Sequence, residues 1–263
     1  MRIDVITLFP EVFAALDASI PGRARASGAL DLRTHQLREH AINKHGQVDD
    51  APYGGEAGMV LRPEPLRDCL AAVLANSGGS ESGPNENPTS KKTPKIPVFL
   101  MSAQGKLFDQ KKALELAGLE RFVVVCGHYK GVDQRFVDAY VDEEISIGDY
   151  VLSGGEAGAL VVIDAVARLL PGVLGDRESG DTDSFARPGR LGWPVYTRPQ
   201  EFEGREAPEV LLSGHHANIV AWRTLESLRL TRENRPDLLE HHPVTEVEEK
   251  LLNPKKKKKK AES

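Results

Sequence analysis

Apolar and polar positions alternate along this chain in short blocks, and the period of each block sets the element it predicts. Residues 98–101 (VFLM) and 122–126 (FVVVC) are short, continuously apolar runs, the pattern of strands buried on both faces of a parallel sheet. Each leads into a polar or glycine-bearing turn, SAQG (102–105) and GHYKGVD (127–133), and then into helical spacing at 109–117 and 133–140. A third strand signal at 144–147 runs into SIGDYVLSGGE (146–156), and 156–170 is a strongly apolar helix stopped by Pro171 and Gly172. Upstream, 2–9 reads as a strand and Pro10 opens a helix through 16, proline being tolerated in a first turn. A second strand falls at 30–37, with the basic, glycine-punctuated PGRARASG (21–28) between them. Glycine makes PYGGEAGM (52–59) a loop, and Leu66, Leu70, Val73 and Leu74 give 63–76 helical spacing. Strand, loop and helix in repetition predict an α/β fold with a parallel sheet and ligand-binding loops at the carboxyl ends of strands.

The remaining blocks divide the chain. Residues 1–174 form the α/β domain, interrupted at 77–97 by a flexible insertion of Ser, Gly, Asn, Pro and Lys with almost no apolar content. Residues 175–190 are polar and read as a linker by composition. Residues 191–252 form a small C-terminal domain, helical from 208 with Trp222, Leu225, Leu228 and Leu230 spaced along it, and 253–263 is a lysine-rich, disordered tail.

Composition changes this picture in two ways. Net charge is −5, but residues 255–263 contribute +5, so residues 1–254 carry 28 basic and 38 acidic side chains, a net −10. An acidic body binds nucleic acid through a local basic patch and not through a global field. The lysine run suits phosphates at low salt and a solvated end alike. Only Cys69 and Cys126 are present, too few for a disulfide framework or a zinc cluster, which fits a reducing cytoplasm. No apolar run approaches the roughly eighteen residues of a membrane span, and MRIDVITLFPEVF does not read as a signal peptide.

The three central loops define a candidate site, because glycine lets backbone approach a ligand closely. There is no G-x-G-x-x-G opening a helix and no G-K-[S/T], so the dinucleotide fingerprint and the phosphate-loop NTPases are set aside. A nucleoside ligand without a phosphate cradle is favoured, and S-adenosylmethionine is one.

LFPEVF (8–13), PYGGEAGM (52–59), CGHYKGVDQR (126–135), SIGDYVLSGGE (146–156), RLLPGVLGD (168–176), DTDSF (181–185), YTRP (196–199) and PEVLLSGHH (208–216) stand in that order. Together they resemble the bacterial tRNA (guanine-N1)-methyltransferases. The resemblance implies a trefoil-knotted SPOUT α/β domain, a homodimer with the active site at the subunit interface, tRNA as partner and no membrane. It implies methylation of N1 of the guanosine immediately 3′ of the anticodon. The S-adenosylmethionine contacts carried over by motif are Gly127, Ile147, Gly148, Asp149, Tyr150, Val151 and Leu152, with Met101 and Ser102 nearby and Gly154 and Gly155 closing the cleft. Guanine N1 carries a proton at neutral pH, so the reaction needs a base there and a cation for the charge that spreads to O6. The matching positions are Asp183 and Arg168, with Asp183 serving the cofactor bound by the other subunit.

Plainer roles exist for the same residues. An aspartate followed by serine caps helices, and an arginine in a last helical turn complements the helix dipole; Asp181 competes with Asp183 for the role of base, and the spacing from Arg168 favours Asp183. Tyr150 suits a core aromatic and Cys126 a small apolar packing residue. His215 and His216 lack a third metal partner and belong more naturally to a tRNA-facing motif; Arg23 and Arg25 suit RNA phosphates or a solvated face equally. One departure matters: the family commonly has an acid in C-G-[H/R]-Y-E-G where this chain has Lys130, so magnesium, the family's possible second cofactor, loses its candidate ligand, and Lys130 suits an RNA phosphate or the cofactor's carboxylate instead. No metal-ligating residue is assigned. Two other functions stay in view, methylation of a ribose 2′-hydroxyl and RNA binding without turnover.

Overall fold

The computed structural model describes residues 1–76, 95–175 and 182–252. The chain divides into two compact units, Met1–Gly175 and Asp176–Ser263. The predicted tail, Asp181 and all of the predicted insertion except residues 95–97 lie outside the described residues.

The first unit is the parallel α/β domain that the apolar runs predict. Its strands are β1 (Arg2–Thr7), β2 (Asp31–Gln36), the two-residue β3 (Asp49–Asp50) and β4 (Val60–Leu61), β5 (Val98–Leu107), β6 (Arg121–Cys126) and β7 (Glu143–Ser146). Five of them form one sheet in the order β2-β1-β6-β5-β7, with every pairing parallel. Helices α1 (Ser19–Ala26), α2 (Pro63–Ala75), α3 (Gln110–Ala117), α4 (Gln134–Tyr140) and α5 (Glu156–Ala167) cover it.

The continuous apolar runs have their reason here, since successive side chains enter opposite cores. Ile3, Val5, Phe99, Met101, Phe122 and Val124 pack with Val162, Ile163 and Val166 of α5 and Leu116 of α3. Ile6, Val98, Leu100, Val123 and Val125 pack with Leu66, Leu70 and Val73 of α2 and Phe136 of α4. Asp109 caps α3 by accepting from Lys112 N at 2.8 Å, and Asp133 caps α4 by accepting from Arg135 N at 2.9 Å.

Four local expectations change. Residues 10–17 form a 3-10 helix, and the basic stretch after it is largely α1, held in place by buried Pro21 and Ala24 and by Ile20, which packs against the core. The SAQG turn is a bulge inside a longer strand: Met101 and Lys106 both pair with Ile145, so residues 102–105 loop out before β5 resumes. The apolar helix ends at Ala167 and not at 170.

In the second unit, β8 (Glu201–Phe202) and β9 (Arg205–Glu206) form an antiparallel pair, followed by α6 (Glu209–Leu212), α7 (His216–Asn234), α8 (Pro236–His241) and α9 (Glu246–Leu252). Its interior is polar: Arg190, Ser227, Thr231 and Glu248 are buried beside Leu228. Arg190 forms a bidentate pair with Glu248 at 2.8 and 2.9 Å and donates to the His242 and Pro243 carbonyls. Glu248 also accepts from Thr245 N, while Thr245 Oγ1 accepts from Glu248 N, a capping box at the head of α9. Arg187 and Arg190, polar residues in a stretch that composition marks as linker, reach partners far along the chain, Arg187 bonding Ser227 Oγ.

Candidate active site

The sheet order puts β6, β5 and β7 side by side, so three loops leave adjacent carboxyl ends. They line a cleft of about 460 Å³, inside the range of ~300–1,000 Å³ usual for small-molecule sites. The first wall is the β5 bulge. A Cβ on Gly105 would lie 2.4 Å from the Glu144 carbonyl carbon, so only glycine lets the strand close back on β7 and leave Ser102, Ala103 and Gln104 turned to the cleft. The second wall is 127–132. The third is 147–155, folded on itself by hydrogen bonds from Gly148 N to Ser146 Oγ at 3.2 Å, Tyr150 N to the Gly148 carbonyl at 3.0 Å and Tyr150 Oη to the Ile147 carbonyl at 3.1 Å. Gly148 has φ +146° and lies under the Tyr150 ring, where a Cβ would come within 2.5 Å.

The second and third walls are joined. Gly155 N donates to the Gly127 carbonyl at 2.8 Å, and a Cβ at Gly155 would lie 2.8 Å from Cys126 Cα and 3.0 Å from Gly127 N. At the head of α5, Glu156 is buried. It accepts from Thr7 Oγ1 at 2.5 Å and lies 2.7 Å from His128 Nε2. A buried carboxylate needs such partners, and here they tie β1, the 127–132 loop and α5 to one side chain. Sequence reasoning missed this junction; its signal is an acid heading a helix that is otherwise apolar on nearly every side. Burial pushes the Cys126 thiol well above its ordinary range, in keeping with apolar packing.

Of the residues assigned to S-adenosylmethionine, Met101, Ser102, Gly127, Ile147, Gly148, Tyr150, Val151, Leu152, Gly154 and Gly155 all line this cleft, together with Lys130. Asp149 does not; it is exposed and lies outside the lining. Tyr150, whose plainer role is a core aromatic, is 55% exposed. Arg168 is half-buried just past α5, and Asp183 is exposed in a run of turns in the second unit. No helix begins at Asp183, which removes the cap as its role. His215 and His216 are exposed at the start of α7, and among the described residues no three His, Cys, Asp or Glu side chains gather as a metal site. Among them, too, no helix is long and apolar enough to cross a membrane.

A parallel sheet with a glycine-walled cleft at the carboxyl ends of adjacent strands puts the chain among the open-sheet α/β proteins, the class that places small-ligand sites at that edge. The model of the tRNA (guanine-1)-methyltransferase TrmD family matches residues 1–241, and the chain belongs to that family of methyltransferases. It is 50% identical over 255 residues to the tRNA (guanine-N(1)-)-methyltransferase of Heliobacterium modesticaldum, covering 96% of this chain and 89% of that protein. The proteins of the same name from Halalkalibacterium halodurans and Brevibacillus brevis are 49% and 51% identical, each across 96% of this chain and 97% of the relative.

Proposed function

We propose that this enzyme transfers a methyl group from S-adenosylmethionine to N1 of the guanosine immediately 3′ of the anticodon in tRNA, in the cytoplasm. The observation that carries the reading is the cleft itself: a pocket of suitable volume, walled by glycine backbone and by Ile147, Tyr150 and Leu152, in a chain of this family. Those walls suit a nucleoside with an uncharged ribose, since neither dinucleotide nor phosphate-loop motifs occur. The same reading includes a trefoil-knotted backbone in the first unit and tRNA binding by the second.

When bound, S-adenosylmethionine supplies an electrophilic methyl group on a sulfonium. The chain's own residues prepare the acceptor. The Asp183 carboxylate would take the N1 proton, leaving on N1 the lone pair that forms the new carbon–nitrogen bond as the methyl–sulfur bond breaks and S-adenosylhomocysteine leaves. The Arg168 guanidinium stabilises the negative charge that deprotonation spreads onto O6. The protein works as a homodimer in which Asp183 of one subunit completes the site of the other. Position 130 offers an ammonium and not a carboxylate, so magnesium, where it takes part, is held otherwise or has a different role.

Purified protein with labelled S-adenosylmethionine is expected to form 1-methylguanosine at that one position, lost when a transcript carries another base there. Asp183→Asn should lower transfer by at least ~100-fold while binding S-adenosylhomocysteine as wild type does. Near-normal transfer by that variant would remove Asp183 as the base, and transfer to a ribose hydroxyl would replace the whole reading.

A further inference from the structure

Charge inside the cleft is scarce. Its ionisable lining groups besides tyrosine are His128, Glu144 and Lys130. His128 is committed to the buried Glu156 at 2.7 Å, and Glu144 repels anions. Lys130 differs. Its ammonium lies 3.9 Å from Glu56 Oε2, and both side chains are well exposed, 52% and 73%. A hydrated pair at that distance is weak and yields readily to a better-placed anion. The base of the side chain is nonetheless fixed. Lys130 N donates to the Met59 carbonyl at 2.9 Å, and the stem lies on Gly58, where a Cβ would come within 3.0 Å of Lys130 Cγ. The glycine loop 52–59 therefore holds the stem of Lys130, a residue that lines the cleft, and supplies its resting counter-ion in Glu56, which does not line it.

Resting on the donor assignment above, we propose that Lys130 binds the α-carboxylate of the amino-acid end of S-adenosylmethionine, with Glu56 as a competing carboxylate that the ligand displaces. The carboxylate is the sole anionic group of that ligand, and Lys130 is the one lining cation, among the described residues, not engaged by a buried carboxylate. Lys130 is thus a specificity residue for donors that keep their amino-acid end. Glu56 tunes it in the opposite direction.

Calorimetric titration of the full-length protein with S-adenosylhomocysteine, which has the carboxylate, and with 5′-methylthioadenosine, which lacks the amino-acid end, separates the possibilities. Lys130→Ala should weaken S-adenosylhomocysteine roughly tenfold, the lower end expected for a charge-assisted contact, and leave methylthioadenosine within twofold. Lys130→Arg should restore most of the loss. Glu56→Ala should tighten S-adenosylhomocysteine a few-fold, again without effect on methylthioadenosine. Equal losses for both ligands in Lys130→Ala would mean a general effect on the loop and overturn the proposal. So would unchanged binding of both, including the case where the variant instead raises KM for tRNA, which would assign Lys130 to an RNA phosphate. Wild-type protein that binds neither compound would remove the donor assignment itself, an outcome visible before any variant is made.

Discussion

Asp4 lies fully buried in the middle of the sheet, where β1 is flanked on both sides. Burial alone pushes its carboxyl up, but hydrogen bonds from His35, Arg2 and Arg121, each at 2.8 Å, outweigh that and hold it at about 2. Because the folded value lies below the unfolded one, the contribution is complete above pH ~4 and disappears as pH falls towards 2. It amounts to about 2.5 kcal/mol. Asp4→Asn should therefore cost at least that at pH 7, where two guanidinium groups lose their counter-charge. It should also flatten the acid limb of a urea-denaturation series between pH 4 and 2; an unchanged limb would mean that other groups govern it. Glu248, held at about 2 chiefly by its hydrogen bonds from Arg190, acts with the same sign in the second unit. Neither acid was legible in the sequence, because their partners are distant along the chain. The loops that wall the cleft were legible, since glycine content and apolar runs are local signals, whereas the ten cleft residues themselves came from the family motifs, Met101 and Ile147 having strand patterns. The Glu156 junction was not, because it joins side chains from three elements.

At the scale of elements, the cleft depends on backbones meeting where no side chain fits. Gly155→Ala would drive its Cβ against Cys126 and Gly127, both backbone neighbours that cannot turn aside. Overpacking of this kind costs about 1–3 kcal/mol, so a lowered midpoint in thermal or chemical denaturation is expected, together with weaker S-adenosylhomocysteine binding. A variant as stable as wild type would show that the α5 head and the 127–132 loop can separate without loss. The sequence pattern located the central strands within a few residues, since an apolar run so short and so β-branched suits little besides a strand covered on both faces. It placed a turn at 102–105 where the structure has a bulge and a resumed strand, because Gly105 can be recognised as a close-approach glycine only once Glu144 lies beside it. It also left α1 unread, where Ile20, Pro21 and Ala24, rather than a long apolar stripe, hold the helix to the core.

At the scale of the whole molecule, the first unit leaves Tyr150, Val151 and Leu152 exposed at the cleft and Val161 exposed on the otherwise apolar α5. Those surfaces support the proposed homodimer, since exposed apolar side chains on a helix whose only charged residues are Glu156 and Asp164 belong in a covered position. Sedimentation should give a dimer. Asp183→Asn and Arg168→Ala proteins, each inactive alone, should recover up to about a quarter of wild-type turnover when co-refolded, because half of the dimers are mixed and each carries one whole site. No recovery in demonstrably mixed dimers would mean that each site is built within a single subunit. Position within the tRNA had no signal in composition or periodicity, since it depends on an RNA surface that the chain does not encode as a short motif.

The sheet order also sets a timetable for synthesis. β1 has β2 on one side, but on the other it pairs with β6, Arg2 facing Arg121, and Thr7 is bonded to Glu156. On the ribosome, an early β1–β2 pair waits with one long edge open until β6 has emerged, and its last polar partner arrives only with α5. Non-local pairings of this kind fold slowly and expose apolar edges meanwhile. A nascent chain stalled before β6 is therefore the species for which a chaperone would have the most to do.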